Sequence, residues 1–275
     1  MEKSFESQTK SGERFRFGSN WASFLKNLSP DKLGIAQESL KEMLGLEDLK
    51  GKSFLDIGNG SGLFSLAARQ LGATVHSFDF DPDSVQCALE LRDRFFKGDP
   101  HWVIERGSAL DAQFLAGLPK FDIVYSWGVL HHTGNMNLAL ENAMIPVKPK
   151  GQLFISIYND QGWVSKFWLG VKKAYNANAL SRSVVWNAAS FAFVAGAGAM
   201  DLVRLRNPLS RYSVYKENRG MSLLHDWKDW VGGLPYEFAS PGYIKNFYAS
   251  RGFKLQKLKT CKGYGCNEFV FQRDF

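Results

Sequence analysis

Cysteine is scarce in this chain: Cys87, Cys261 and Cys266 are all there is. An odd number without paired metal-ligand spacing argues against a disulfide framework and fits a reduced compartment. Met1–Lys10 has no apolar core of the kind a signal peptide needs, so a cytoplasmic location is expected. Repeats and low-complexity tracts are missing too. Long apolar runs are likewise absent. The nearest is Ser183–Met200, which is free of charge and close to the length of a membrane span, but Asn187, two serines and two glycines interrupt it. A spanning helix, a lipid-facing helix and a buried lid helix are all open for it, with the buried lid as the expectation.

Acids are rare in one region. Between Trp163 and Gly220 nine Lys or Arg face only Asp201 and Glu217, an excess equal to the whole net charge of +7. Such a segment suits nucleic acid, anionic lipid, an acidic small molecule, or simply water. The rest of the composition is that of an ordinary globular protein, 45% hydrophobic and 22% charged over 275 residues. That length carries one sizeable core with an insertion.

The strongest pattern present is Phe54-Leu55-Asp56-Ile57-Gly58-Asn59-Gly60-Ser61-Gly62-Leu63-Phe64. An apolar run ends in three glycines at alternate positions, and Leu63, Leu66, Ala67 and Leu71 follow at helical spacing. That is strand, tight turn, helix. A dinucleotide fingerprint places its third glycine one position later than Gly62 does, and an acid at Asp56 suits a cationic group better than a pyrophosphate. A second strand, Val75–Phe78, ends at Asp79, 23 residues after Asp56. An acid at about that distance past a glycine turn commonly accepts hydrogen bonds from a ribose diol. Asp81-Pro82 reads as a helix cap followed by an N1 proline.

Strands alternating with helical patterns continue through Trp102–Ile104, Phe121–Trp127 and Gln152–Tyr158, which predicts a doubly wound α/β sheet. A helix is expected over Asn135–Val147 and a turn over 148–151. Ser240-Pro241 starts another helix, and two closing strands follow, Phe253–Lys259 and Asn267–Gln272. Residues 1–12 read as disordered, Arg14–Leu28 as a strap or a packing segment, and Ser29-Pro30 as a helix start.

Asp56-x-Gly58-x-Gly60-x-Gly62 resembles the first motif of the class I S-adenosylmethionine-dependent methyltransferases. Gly128-Val129-Leu130-His131-His132-Thr133 resembles the segment after strand four in the ubiquinone-type O-methyltransferases. The resemblance covers about 50–158 and 240–275. It implies a mostly parallel seven-stranded, Rossmann-like sheet ending in an antiparallel pair, with S-adenosyl-L-methionine as cofactor. The organisation it suggests is 1–49 as N-terminal strap and helix, 50–158 as cofactor core, 159–239 as helical lid insertion, and 240–275 as completion of the core.

By the same resemblance Asp56, Gly58, Gly60 and Gly62 serve the methionine half of the cofactor and Asp79 the ribose. Phe80 lies against adenine, Ser108 and Ala109 touch the adenine edge, and Ser126 ends strand four beside the transferable methyl. The family often has Asp where Ser108 stands, which leaves the backbone of Ala109 as the safer contact.

Methyl transfer to a hydroxyl gains from a general base, and histidine is the side chain tuned near neutral pH. His132 is the first candidate and His225 the second, with one rise in rate expected near pH 6–7. Tyr158, Asn159 and Glu237 are candidate pocket walls. No metal site is expected, because adjacent His131 and His132 rarely face one ion. The Asn/Asp-Pro-Pro-Tyr/Phe motif of amino methyltransferases is missing after strand four, which disfavours a nucleobase nitrogen. The expected partner is a bulky small-molecule acceptor, partly apolar or anionic, methylated on oxygen beneath a lid over 160–235. A peripheral membrane contact, RNA methylation through the basic segment, and cofactor binding without catalysis stay open as alternatives.

Overall fold

The computed structural model describes residues 3–18, 21, 25, 28–203, 227, 230–263 and 265–275, with the backbone alone over 197–203. His225 lies outside the described residues. Among those described, seven strands form one sheet: β1 (Ser53–Ile57), β2 (Thr74–Asp79), β3 (Trp102–Arg106), β4 (Phe121–Trp127), β5 (Val147–Tyr158), β6 (Phe253–Lys259) and β7 (Cys266–Arg273). Their order is β3-β2-β1-β4-β5-β7-β6. The first five are parallel, and β7 runs antiparallel between β5 and β6. The helices are α1 (Phe5–Lys10), α2 (Pro30–Leu44), α3 (Leu63–Gln70), α4 (Pro82–Phe95), α5 (Ala112–Gly117), α6 (Met136–Asn142), α7 (Trp163–Ala177), α8 (Ala179–Val203) and α9 (Pro241–Ala249).

Side-chain alternation sorts each strand onto two buried faces. Leu55, Ile57, Val124 and Ile155 pack with Leu115 of α5, Leu140 of α6 and Tyr248 of α9. Phe54, Tyr125, Phe154 and Val270 pack with Leu40 of α2, Leu66 of α3 and Leu91 of α4. The chain reverses direction across the sheet between β1 and β4, and ligands of open α/β sheets sit at such a switch point, beyond the carboxyl ends of the strands.

Three local expectations change. Residues 5–10 are helical rather than disordered: Ser4 caps α1 through its hydroxyl, and Phe5 is buried. The helix after the His131-His132 pair stops at Asn142, and β5 begins at Val147. Lys150, at φ +60, carries that strand through a register shift between its pairings with Phe121 and Ile123. Finally, α8 is not a buried lid helix, for Leu180 and Phe191 are each 76% exposed.

Candidate active site

The glycine turn is held by packing on both sides. Gly58 has φ +75°, and a Cβ there would lie 2.4 Å from Cγ1 of Val129, in the loop after β4. Gly62, at φ +80°, opens α3 so close to α4 that a Cβ would come within 2.9 Å of the Ala88 Cα. Only glycine fits such positions without strain.

Two acids flank the turn. Asp56 is 2% exposed and accepts a 2.6 Å hydrogen bond from the Ser65 hydroxyl on α3. Burial pushes its pKa up to about 7. Asp79 ends β2, where one oxygen accepts the Gly60 N–H and the other the Asp81 N–H, each at 2.9 Å. Burial raises it to about 6 against the pull of those N–H groups and of Arg14. The acid expected to meet a ribose therefore also fastens the turn to β2, and each of its oxygens keeps a second lone pair. Asn59, unforeseen from the sequence, is 7% exposed with neither amide atom hydrogen-bonded among the described residues. A buried acid, a half-buried one and an unsatisfied buried amide are the donor and acceptor set that a sulfonium–amino-acid ligand with a ribose needs. The residues fit S-adenosylmethionine.

A strap crosses the carboxyl ends of the strands beside this turn. Phe5 meets Phe80 edge-on at 5.8 Å, and the Arg14 guanidinium lies 5.1 Å over the Phe80 ring. Arg14 also donates to the carbonyls of His132 and Thr133 at 3.0 and 3.1 Å. The Gly18 N–H donates to Asp81, which at the same time caps α4 through the Asp83 N–H. Trp21 comes within 3.3 Å of the Cβ position of Gly60. Phe80 thus has the strap on it.

Ser108 is half-buried and its hydroxyl accepts the Leu110 N–H at 3.1 Å, while the Ala109 carbonyl accepts from Asn142. Ser126 is fully buried and its hydroxyl donates to the Ile57 carbonyl at 3.0 Å, tying β4 to β1. Both serine hydroxyls are engaged within the protein.

Beyond β4, the turn Leu130–His132 carries the histidine pair. His132 Nδ1 lies 2.5 Å from the Pro235 carbonyl. A carbonyl only accepts, so Nδ1 holds the proton and Nε2 the lone pair. Burial drives the His132 pKa down to about 3, with further lowering from Lys172 and Arg14. His131 is fully buried, accepts the Tyr158 N–H at Nδ1, and is held well below its ordinary value by burial. Tyr158 packs on both, tilted against His131 at 4.1 Å and edge-on to His132 at 5.3 Å.

The insertion closes this corner with aromatics. Tyr236 lies 5.2 Å from Tyr158, and Trp230 5.9 Å from it. The buried ammonium of Lys172, on α7, lies 4.9 Å over Trp230 and 4.7 Å over Tyr236 and donates to the Trp230 carbonyl. Glu237 is a brace. Both of its oxygens accept the Met136 N–H at the start of α6, and its own N–H donates to the His131 carbonyl. Asn159 is paired with Asn267 at 3.0 Å. Among the described residues no cluster of three metal-ligating side chains occurs.

A family model described as a methyltransferase domain matches residues 32–255. A ubiquinone biosynthesis O-methyltransferase of Methylobacterium nodulans is 33% identical over 111 residues, 40% of this chain and 43% of the relative. One from Azorhizobium caulinodans is 30% identical over 146 residues, 49% of this chain and 53% of the relative. The chain thus spans about half the length of the curated relatives it matches. Among solved structures, magnesium protoporphyrin IX methyltransferase of Synechocystis with bound SAH is similar at TM-score 0.52 and 14% identity, covering 88% of this chain and 83% of that one. A putative S-adenosylmethionine-dependent methyltransferase of Listeria monocytogenes gives 0.53 at 13% identity, covering 87% and 99%. Those two likenesses concern the fold. With most of its length inside the family model, the chain belongs to the S-adenosylmethionine-dependent methyltransferases of the class I fold.

Proposed function

We propose that the protein methylates an acidic hydroxyl of a bulky, partly aromatic acceptor, with His132 Nε2 taking the proton. One observation carries this reading: the bond from Nδ1 to Pro235 leaves Nε2 with the lone pair, beside an aromatic wall that holds a buried cation. S-adenosylmethionine supplies an activated methyl on a sulfonium centre. The chain's own residues have to bind it, orient the acceptor and exclude water. Asp56 and Asp79 are the acids for its cationic and diol parts.

A base with a pKa near 3 is weak and takes the proton late, once the forming C–O bond has made it acidic, and a phenol or enol lowers that demand relative to an alkyl hydroxyl. The Lys172 charge favours the same oxyanion. Oxygen as the acceptor atom agrees with the names of the curated relatives. RNA methylation and cofactor binding without catalysis find no support in these likenesses.

The test is a mass-spectrometric screen of phenolic acceptors with the wild type and His132→Ala. The variant should bind cofactor normally and lose about 10²–10⁴ in kcat. Because His132 is already neutral, the expected rise near pH 6–7 gives way to a kcat flat from about pH 5 to 8. A fully active His132→Ala would remove it from the reaction.

A further inference from the structure

The outer side of the α7–α8 pair has no part in the site. Inward, α7 buries Ser165, Lys172 and Tyr175, and Trp168 stacks on Phe193 of α8 at 6.0 Å. Outward, Trp163 (77% exposed), Phe167, Leu180, Val184, Phe191 and Val194 project into solvent. They make up half of the twelve large hydrophobic residues exposed in the described chain, yet they fall within 32 consecutive positions. Their spacing is helical: 163 and 167 on α7, then 180, 184 and 191 on α8, so each helix presents a stripe. Scattered surface apolars need no explanation, but a grouped set does.

Charge selects the occupant. From Gln161 to Met200 there is no Asp or Glu. The exposed Lys166 and Lys173 flank the α7 stripe, while Arg182 turns the other way, its guanidinium 5.8 Å over the inward Tyr175 ring. Aromatic and aliphatic side chains bordered only by cations match a bilayer interface carrying anionic headgroups. Among the described residues no helix is long and apolar enough to cross a membrane, so the contact is a peripheral one. We propose that the outer face of α7–α8 docks on an anionic lipid surface. The opposite face of the same helices reaches the aromatic wall, Trp168 to Trp230 at 5.6 Å, so docking sets the acceptor corner against the lipid.

Sedimentation of the full chain with phosphatidylcholine vesicles, with and without phosphatidylglycerol, tests this without any turnover assay. Binding should require the anionic lipid and weaken with salt. Lys166→Gln and Lys173→Gln should each lower partitioning roughly fivefold, and Trp163→Ser with Phe191→Ser should lower it further. All these side chains are exposed, so S-adenosylmethionine binding by calorimetry should stay at the wild-type value, which verifies folding. No sedimentation with anionic vesicles at low salt overturns the proposal, as does sedimentation that the variants leave unchanged. Saturable binding of single-stranded RNA through these cations, without vesicle binding, assigns the face to nucleic acid and overturns it too.

Discussion

Asp56 and Asp79 are ordinary residue types in an extraordinary position, and pH reveals it. Their pKa values of about 7 and about 6 belong to the protein without cofactor. A cationic group favours ionised Asp56, and diol hydroxyls donating to Asp79 favour its ionised form too, so protons compete with the cofactor. S-adenosylmethionine affinity should therefore fall as pH drops from about 8 to 5, by about tenfold or more. Asp56→Asn should flatten the upper part of that fall, and Asp79→Ala should cost about 1.5–3 kcal/mol of binding. Calorimetry across pH reads both, and a pH-independent affinity would show that neither acid meets the ligand. The turn offers a second check. Gly58→Ala adds a left-handed alanine worth about 1–2 kcal/mol and a contact with Val129. Pairing it with Val129→Ala should recover the contact and leave the backbone cost, read as two steps in urea unfolding.

Between elements, the limit of sequence reading is distance along the chain. The strand–glycine–helix unit, the acid closing β2 and the capped start of α4 were legible, because turn residues and periodicity are local signals. The tautomer of His132 rests on a carbonyl 103 residues away, the role of Glu237 on an N–H 101 residues away, and the course of the strap on carbonyls 118 and 119 residues away. No local pattern encodes such partners. Glu237 thus looked like a pocket wall and proved to be a helix brace. Residues 5–10 looked disordered because beside the Ser4 cap the six-residue helix buries a single phenylalanine, too short an apolar pattern to read. The strap makes its own prediction. Arg14→Gln removes two hydrogen bonds to the loop after β4 and should cost about 1–2 kcal/mol, the low end for a charged donor that is half-exposed. Hydrogen exchange should quicken at residues 130–134, and unchanged protection there would mean that the strap does not order that loop.

For the whole molecule, the buried titratable groups pull against each other. A carboxyl raised on folding binds protons in the native state that the unfolded chain has released. Asp56 and Asp79 therefore lower stability as pH climbs from about 4 to 7. An imidazole depressed on folding does the opposite. His131 and His132 are neutral when folded and charge when unfolded, so their contribution is present above about pH 6.5 and is lost as pH falls toward 3. The acids, with Asp81 and Glu237 also raised by burial, and the imidazoles change in opposite senses over the same window, so the unfolding temperature of the protein without cofactor should change little from about pH 4.5 to 6.5. The balance breaks once S-adenosylmethionine binds, because the ionised acids then gain a cation while the imidazoles keep their environment. The rise in unfolding temperature at fixed, saturating cofactor should grow with pH and level off near 8. His132→Ala should tilt the cofactor-free curve, making the protein relatively more stable in acid. A cofactor-free profile that slopes as steeply in the wild type as in that variant would mean that the acids and the histidines do not oppose each other in the folded chain.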